Sequence, residues 1–394
     1  MDTETVAWLR TGDGRDAYAE ASQALAAGRS ELAVLDALRR RLTPEQARAV
    51  LALVEGRRAA AGKFADVGRL YFDRESAEQA TSETVARHTV ARFAEAARIA
   101  DLGAGAGGDA LALAEVAPVI AVDRDPVRLA LLAANADARG LLGRIEAVEA
   151  SVEAFAAPSD VDAAWLDPAR RDARGRTLDP ERWSPPLSEA LRIASAFARG
   201  GIKVAPGIDH AAVPPGAEVE FISLDGTLVE AVVWLGAAVT ASRRATVLPA
   251  GASIAGDPDT GATPVAAPGR YLYDLDPSVG RASLVDLVAP AIEAWRIDEQ
   301  IAYLSGDTPH DSPFARRFRI AWWGPFSERR LLDALREAVV GRVEVMRRGS
   351  PVETNALEVR LNRALGTAAS PEAWTVALTR HAGEHIAILC RRER

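Results

Sequence analysis

Residues 99–109 read Ile-Ala-Asp-Leu-Gly-Ala-Gly-Ala-Gly-Gly-Asp, and this stretch decides the fold class. A short apolar run ends at Asp101, a series of glycines follows, and then a helical pattern begins. The pattern predicts a strand, a tight glycine turn and the N-terminus of a helix. Glycine lets the backbone approach a ligand closely, and free N–H groups at a helix start favour polar or anionic ligand atoms. We therefore expect a nucleotide-like ligand at this turn.

Two ligands compete for the turn. Gly103, Gly105 and Gly108 satisfy G-x-G-x-x-G, and Asp123 follows about 20 residues later, where a ribose-binding acid belongs. These residues alone suit NAD. The carboxylate of Asp101, however, would repel a pyrophosphate, whereas it suits the ammonium group of an amino acid. A ligand with an amino-acid end and a ribose end is S-adenosylmethionine, and a packing turn without a ligand is the remaining alternative.

A second polar motif follows the fourth predicted strand, where an apolar run ends in Asp167 and Pro168. The carboxyl ends of the strands line the ligand crevice of a doubly wound sheet, so we expect Asp167 beside Asp101 and Asp123. Pro168 fixes the backbone directly after the acid. The alternative is an Asp-Pro pair that only ends a strand.

The composition is that of a globular protein with more than one domain. The chain has 394 residues, of which 48% are hydrophobic and 26% charged. We find no long charge-free apolar stretch, so we expect no membrane span. The single cysteine, Cys390, excludes internal disulfides and a multi-cysteine zinc site. The acidic N-terminus resembles no secretory signal, which favours a cytoplasmic protein.

Charge is distributed unevenly along the chain. The net charge is −8, yet residues 311–394 contain 15 arginines against 10 acidic residues. A basic segment in an acidic protein is one footprint of nucleic-acid binding, and an ordinary arginine-rich surface explains it equally well.

The sequence predicts an α/β fold with a Rossmann-like sheet, a helical N-terminal region and a C-terminal α+β domain. We expect helices over 1–95, the sheet domain over 96–248, a linker over 249–270 and the α+β domain over 271–394. Thr43, Pro44 and Gln46 predict a capped helix start, and Asp225-Gly226 predicts a hairpin. The predicted strands of the sheet domain are 97–101, 118–123, 144–149, 161–166, 200–205, 217–223 and 228–235, with helices over 125–139 and 186–199. In the last domain they are 317–323, 342–347, 374–379 and 385–391, with helices over 283–294, 327–339 and 354–365.

The glycine turn and the Asp-Pro motif also resemble known motifs. Residues 101–109 resemble motif I of class I methyltransferases that depend on S-adenosylmethionine, and residues 161–171 resemble motif IV of amino-group methyltransferases. The resemblance implies that Asp101 binds the methionine amine of the cofactor and that Asp123 binds its ribose. It further implies that the glycines at 103, 105 and 107 (Gly103, Gly105, Gly107) admit the cofactor, while Asp167 and Pro168 receive the target amine.

The motif IV segment departs from the family at two positions. Ala169 stands where the family has a second proline, and Arg170 stands where it has an aromatic residue. Arg170 and the adjacent Arg171 are candidates for contacts to the substrate, since a guanidinium stacks on bases and grips phosphate. Trp183 is a candidate to supply the missing ring.

A closer resemblance covers residues 79–171, which are similar to trimethylguanosine synthase, the methyltransferase of cap guanosine N2, and its bacterial relatives. Residues 81–88, which begin with Thr81, match the segment that closes over the cofactor in that family. Residues 122–126 with Asn135 match its second motif, and 145–155 match its third. Ser151 stands where that family has an aspartate that contacts adenine.

The C-terminal region resembles the THUMP-like domain at residues 271–282 and 345–349. This resemblance implies an RNA partner, either tRNA or rRNA. Arginines that would contact phosphate there are Arg347, Arg348, Arg316, Arg317 and Arg319.

His381 and His385 belong to an H-x-x-E-H pattern, which holds zinc only on a helix. Ala-Gly between two β-rich runs predicts a hairpin instead, so we expect no metal. The resulting hypothesis is methyl transfer from S-adenosylmethionine to an exocyclic amine of guanosine or adenosine in RNA. Two alternatives are an inactive RNA-binding or assembly protein with this fold, and a methyltransferase for proteins or small molecules.

Overall fold

The computed structural model describes residues 1–172, 175–177, 179–366 and 373–393. The chain divides into two compact units. The first comprises Met1–Glu218 with Glu230–Thr240, and the second comprises Val219–Val229 with Ala241–Arg394. Each unit is discontinuous in sequence, because the chain enters the second unit, returns to the first and then leaves it again.

Helices of the first unit make up most of its N-terminal region. Thr43 begins one of them as predicted: its hydroxyl accepts from the Gln46 amide (3.2 Å), and the Gln46 side chain accepts from the Thr43 amide (3.1 Å). In chain order the helices are α1 (Thr3–Leu9), α2 (Gly12–Ala26), α3 (Glu31–Leu38), α4 (Pro44–Ala59), α5 (Arg74–Gln79), α6 (Glu83–Val90), α7 (Gly108–Val116), α8 (Pro126–Ala138) and α9 (Leu187–Ala194). Short 3-10 turns lie at Val67–Arg69, Ala91–Phe93, Leu142–Arg144, Pro180–Arg182 and His210–Ala212.

The N-terminal helices share a hydrophobic core with the sheet domain. Leu131 and Ala134 of α8 and Ala106 of the glycine turn are buried in the same cluster as Leu53 and Phe72. Because this core is common to both, the N-terminal helices support the turn directly.

The sheet of the first unit is mostly parallel. The strands up to residue 204 are β1 (Ile99–Leu102), β2 (Val119–Asp123), β3 (Ile145–Glu149), β4 (Ala163–Leu166), β5 (Arg171–Asp172), β6 (Gly175–Arg176) and β7 (Arg199–Val204). Strand β1 lies between β2 and β4, β3 flanks β2, and β7 flanks β4, all in parallel. Residues 231–236 pair with β7 in antiparallel orientation. The sheet is therefore parallel up to β7 and antiparallel between β7 and residues 231–236.

Gly201 brings β7 close to two tryptophans. A Cβ at Gly201 would lie 2.8 Å from the rings of both Trp165 and Trp234. Since that distance is too short for real atoms, only glycine allows this packing. Leu166 of β4 pairs with Ile202 of β7. The residues that follow them, Asp167 after β4 and Lys203 within β7, therefore lie side by side at the same edge of the sheet.

The second unit contains the remaining strands and helices. Its strands are β8 (Glu218–Leu224, whose first residue belongs to the first unit), β9 (Thr227–Gly236, which is shared between the units), β10 (Arg243–Leu248), β11 (Ala252–Gly256), β12 (Tyr271–Leu275), β13 (Trp295–Asp298), β14 (Ile301–Gly306), β15 (Ala315–Pro325), β16 (Arg342–Arg347), β17 (Ala373–His381) and β18 (Glu384–Arg392). Its helices are α10 (Pro277–Ala282), α11 (Val285–Ala291), α12 (Glu328–Glu337) and α13 (Thr354–Leu365). One sheet has the order β13-β14-β12-β15-β18-β17-β16. Helices α12 and α13 pack on it through Leu331, Leu335, Leu357 and Leu361.

The structure differs from the sequence prediction between 249 and 306. Strand β11 lies inside the stretch 249–270, for which composition predicts a linker, because antiparallel pairing with β10 supplies its hydrogen bonds. Strands β12 to β14 carry no regular alternation of apolar residues, and their pairing with one another and with β15 defines them.

Both predicted hairpins are present. Asp225 (φ +51°) and Gly226 (φ +75°) have the positive φ angles that a two-residue turn between β8 and β9 requires. His381 pairs with Glu384 across the second turn, so the H-x-x-E-H residues lie on strands, not on a helix. Among the described residues, no helix is long and apolar enough to span a bilayer.

Candidate active site

A cavity of about 590 Å³ opens at the carboxyl ends of β1, β2 and β4. Its volume lies within the range of small-molecule sites. Most of the residues singled out in the sequence line it: Thr81, Asp101, Gly103, Gly105, Asp123, Ser151, Asp167, Pro168 and Arg170. Thr81 and Asp167, which are 86 positions apart in sequence, therefore line the same cavity.

The glycine turn depends on backbone angles that other residues rarely adopt. Gly103, Gly105 and Gly107 have φ angles of +96°, +54° and +94°. A Cβ at Gly103 would lie 3.2 Å from the backbone oxygen of Asp167, and one at Gly107 would lie 3.1 Å from the Leu132 side chain. Gly103 thus permits close approach of β1 and β4 at the cavity, whereas Gly107 packs on α8.

Asp123 fixes the turn from the end of β2. Its Oδ2 accepts from the Gly105 N–H (2.9 Å) and its Oδ1 accepts from the Asp125 N–H (2.9 Å). A carboxylate oxygen has two lone pairs, so each oxygen keeps acceptor capacity for a ligand. The carboxylate is therefore held in place by the backbone while it lines the cavity.

Asp101 is the buried acid of the site. Its side chain is 1% exposed, and its Oδ2 has no hydrogen-bond partner in the part of the chain that the structure describes. Burial raises the pKa of this carboxyl well above its ordinary value, and the nearby Asp109, Asp167 and Asp123 raise it further. A buried acceptor of this kind is unfavourable unless a cationic donor fills it. The ammonium group of S-adenosylmethionine is such a donor, so the residues fit this cofactor.

A network around Lys203 lies behind Asp101. The Lys203 ammonium donates to Thr81 Oγ1 (2.6 Å) and to Asp167 Oδ2 (2.9 Å). The Thr81 hydroxyl donates to Asp109 Oδ2 (3.0 Å), on the first turn of α7. Thr81, predicted as part of the segment that closes over the cofactor, is thus connected to Asp167 through the ammonium of Lys203.

Asp167 and Pro168 occupy the position that the sequence predicts. The Asp167 side chain is 29% exposed, and Pro168 is buried behind it. Ala169 exchanges two backbone hydrogen bonds with Ser184 (2.9 and 3.0 Å), which anchors the loop after the acid. Arg170 lines the cavity, whereas the side chain of Arg171 lies outside the described part of the chain.

Trp183 and Ser151, for which the sequence predicts contacts to substrate and cofactor, differ in their position relative to the cavity. Trp183 is 3% exposed and its indole N–H donates to the Thr177 carbonyl (3.3 Å), so its ring packs inside the protein and does not line the cavity. Ser151 lines the cavity, and its hydroxyl accepts from the Ala154 amide (3.2 Å). The ring at 183 is therefore no candidate for stacking on a substrate in this arrangement.

The candidate arginines of the second unit mostly serve internal contacts. Arg348 donates to Asp274 Oδ1 (2.9 Å) and to the Leu275 carbonyl (2.6 Å), and Arg316 also pairs with Asp274, which is 3% exposed. Arg348 thus neutralises a buried carboxylate, so the prediction of a phosphate contact fails there. Arg347 is exposed, with one N–H donated to the Val352 carbonyl (2.6 Å).

Sequence reasoning assigned no role to Lys203 and Asp109. A signal for Lys203 was present, since a lysine within the apolar run Ile202–Val204 contradicts the pattern of a buried parallel strand. Asp109 follows the glycine turn directly, at a helix start that favours an acid. Within the described residues, no group of three His, Cys, Asp or Glu side chains is arranged to hold a metal ion.

Comparison with known proteins adds to this geometry. Residues 315–392 match the family model described as "THUMP domain-like", and residues 2–60 match a domain of unknown function. An uncharacterized S-adenosylmethionine-dependent methyltransferase of Mycobacterium tuberculosis, Rv3037c in strain ATCC 25618 / H37Rv and MT3122 in strain CDC 1551 / Oshkosh, is 33% identical over 322 residues. The match covers 77% of this chain and 86% of the relative. A solved structure from Porphyromonas gingivalis W83, described as a methyltransferase, shares the fold with a TM-score of 0.72, 20% identity and coverage of 90% of this chain and 92% of that one.

The relative identifies the cofactor. Its name specifies the same cofactor that Asp101, Asp123 and the glycine turn indicate, and S-adenosylmethionine is therefore the cofactor of this protein. The chain belongs to the S-adenosylmethionine-dependent methyltransferases and carries a THUMP-like domain in its C-terminal part.

Proposed function

We propose that this protein is a class I methyltransferase that methylates an exocyclic amine of a guanosine or adenosine in RNA. The observation that carries the proposal is the placement of Asp167. Its partly exposed carboxylate lines the same cavity as Asp101 and Asp123, the residues that suit the two ends of the cofactor. An acceptor for an amine and a site for a methyl donor therefore share one cavity.

On the cofactor side, Asp101 accepts from the ammonium group and Asp123 binds the ribose hydroxyls. Ser151 contacts the adenine edge, while Gly103 and Gly105 leave room for the ligand beside the backbone. When bound, S-adenosylmethionine supplies a methyl group whose carbon leaves sulfur as it bonds to the acceptor atom.

On the acceptor side, Asp167 accepts a hydrogen bond from the target N–H and so turns the nitrogen lone pair toward the methyl group. Orientation of this kind lowers the free-energy barrier of a group transfer by a large part. Pro168 and the Ala169–Ser184 backbone pair hold the loop in place. The amine loses its proton to water after the transfer, so no dedicated base is required.

The RNA target is supported by the C-terminal part of the chain. It contains the THUMP-like match and the excess of arginine. Arg319 is exposed and pairs in register with Tyr271 of the neighbouring strand, an arrangement suited to phosphate and base contacts. Arg170 lines the cavity, and a guanidinium can grip a phosphate or stack on a base.

Mass spectrometry of tRNA and rRNA nucleosides from a deletion strain tests the proposal. We expect one methylated guanosine or adenosine to be missing, and to return when the wild-type gene is supplied. Asp167→Ala should fail to restore it. Asp160→Ala is the matched control, because Asp160 precedes the other end of β4, with a side chain that is 62% exposed and paired with Arg98.

Three outcomes contradict the proposal. An unchanged nucleoside profile, together with salt-sensitive RNA binding but no transfer of a tritium-labelled methyl group, indicates an RNA-binding protein without activity. Label transferred to protein or to small molecules indicates the other class of substrate. Full restoration by Asp167→Ala removes Asp167 from the acceptor role.

A further inference from the structure

Lys203 is one of only two lysines in the chain and the more deeply buried of them. Its side chain is 8% exposed, yet its ammonium lies among three acids and a hydroxyl. The hydrogen bonds run to Thr81 and Asp167, and the carboxylates of Asp109 and Glu230 each lie 3.7 Å away. Burying a lysine is costly, so a lysine in this position has a reason to be there.

The charge of Lys203 is fixed by these neighbours. Burial alone would lower the pKa of its ammonium, but Asp167, Asp109 and Glu230 outweigh that effect and hold the pKa above its ordinary value. Lys203 is therefore an ammonium donor at physiological pH and not a base.

Lys203 also reaches the segment that precedes the sheet. The Thr81 hydroxyl oxygen accepts a hydrogen bond from the Lys203 ammonium. The other lysine, Lys63, donates to the backbone oxygens of Ala77, Glu78 and Ala80 (2.8 to 2.9 Å). Both lysines of the chain thus hold residues 77–81, which line the cavity from Glu78 to Thr81. Of the two, Lys203 also donates to the carboxylate of Asp167, which lines the cavity.

We propose that Lys203 is a positioning residue that links the cofactor side of the cavity to the acceptor side. Its ammonium occupies Oδ2 of Asp167 and directs Oδ1 to the substrate, and it places a positive charge among the acids of the cavity, where the cationic cofactor binds. The inference deepens the proposed function and rests on the roles assigned there to Asp101 and Asp167.

The second part of the inference concerns Asp101. The groups that line the same cavity and act on its carboxyl are Asp109 on α7, Asp167 after β4, Asp123 on β2 and Lys203 on β7. The three acids raise its pKa, and Lys203 alone among these four lowers it. Loss of the lysine charge therefore makes Asp101 hold its proton to a higher pH. Since the ammonium of the cofactor needs the ionised carboxylate, cofactor binding must then require a higher pH as well.

Calorimetric titration of the full chain with S-adenosylmethionine, repeated from mildly acidic to mildly alkaline pH, tests this inference. Lys203→Met and Lys203→Gln remove the charge, and Gln keeps the ability to donate hydrogen bonds. We expect the midpoint of the pH dependence of affinity to move upward by about one unit in both. Lys203→Arg keeps the charge and should keep the midpoint.

Lys63→Met is the matched control. It loosens the same segment by removing three hydrogen bonds to backbone oxygens, whereas the lysine charge that lowers the pKa of Asp101 is that of Lys203. We expect it to lower the affinity by a similar factor at every pH and to leave the midpoint in place. A purely structural role of Lys203 would give that same uniform loss.

The outcomes separate this inference from the proposed function. An unshifted midpoint in both neutral variants overturns the role of Lys203, and so does a shift of equal size in Lys203→Arg or Lys63→Met. If Lys203→Met does not fold, the Gln variant decides. If instead Asp101→Asn binds the cofactor like the wild type at every pH, the assignment of Asp101 fails and the proposed binding mode fails with it.

Discussion

Asp101, which is buried, and Asp286, whose side chain is 11% exposed, are two aspartates with opposite surroundings. Asp286, in the second unit, accepts from the backbone N–H groups of residues 260–263, from the Thr263 hydroxyl (2.7 Å) and from Arg296 (3.1 Å). Asp101, in the first unit, has an oxygen without a partner in the described part of the chain and is surrounded by other acids. The carboxylate of Asp286 is saturated by hydrogen bonds within the protein, whereas Oδ2 of Asp101 has no donor among the described residues.

The pKa values of the two carboxyls move in opposite directions because their neighbours differ. Burial raises the pKa of Asp101 and its acidic neighbours add to that. Burial would also raise the pKa of Asp286, but Thr263, Arg296 and the backbone amides hold it below its ordinary value. The difference is the one expected between an acid that stabilises a loop and an acid that binds a ligand.

The largest effect is expected for cofactor binding after Asp101→Asn. The substitution keeps the shape of the side chain but removes its charge, which leaves the ammonium of the cofactor buried without a counterion. Breaking a buried ion pair costs about 3 to 5 kcal/mol, so the affinity for S-adenosylmethionine should fall by more than about 100-fold in calorimetry. Asp286→Asn serves as the control and should bind the cofactor normally; equal losses in both variants would erase the distinction.

The reverse experiment concerns stability. Asp286→Asn removes the charge that the four backbone N–H groups and Arg296 share, so we expect the second unit to lose about 2 kcal/mol. Hydrogen exchange of the amides of residues 260–263 should accelerate strongly, while the amides of β1 should not respond. Unchanged protection at 260–263 would show that Asp286 does not hold this loop.

The comparison also shows what sequence can predict. The glycine turn, Asp101, Asp123 and Asp167 follow from local patterns, because each acid directly ends an apolar run and parallel strands end at one edge. The order of elements in the sheet domain follows from the same alternation. These features depend on neighbours within a few residues, so a single sequence contains them.

Contacts between distant residues were not accessible in that way. Lys203 meets Thr81 across 122 residues, and Arg348 meets Asp274 across 74 residues, so neither partner is visible from spacing. Arg348 was assigned to phosphate because its charge looks available in sequence, whereas a buried acid on another strand requires it. Trp183 is predicted to supply the aromatic ring that is missing at position 170, whereas its ring packs inside the protein.

The pH dependence of binding should show the raised pKa of Asp101 directly. Above that pKa the carboxylate is ionised and affinity is full; below it, affinity should fall by about tenfold for each pH unit. Calorimetry in buffers of different ionisation enthalpy should detect release of a proton on binding just below that pKa. Binding that stays constant as the pH is lowered, with no proton released, would mean that Asp101 is ionised in the free protein.

The smallest effect is the stability of the protein without cofactor. A carboxyl whose pKa is raised by folding binds its proton more tightly in the folded state, so stability is highest at low pH and falls as the pH rises from the ordinary pKa of 3.8 through the raised one. Asp101→Asn removes this penalty and should raise the free energy of unfolding near neutral pH by about 1 kcal/mol. Thermal unfolding without cofactor measures the gain, and it should disappear in acid, where Asp101 is protonated in the wild type.

Asp286→Asn should lose stability under the same conditions, because the pKa of Asp286 is lowered by folding and its contribution disappears only in strong acid. A ligand-binding acid is thus expected to cost stability when empty, whereas a structural acid contributes it, and an Asp101→Asn protein less stable than the wild type at neutral pH would place Asp101 in the second class.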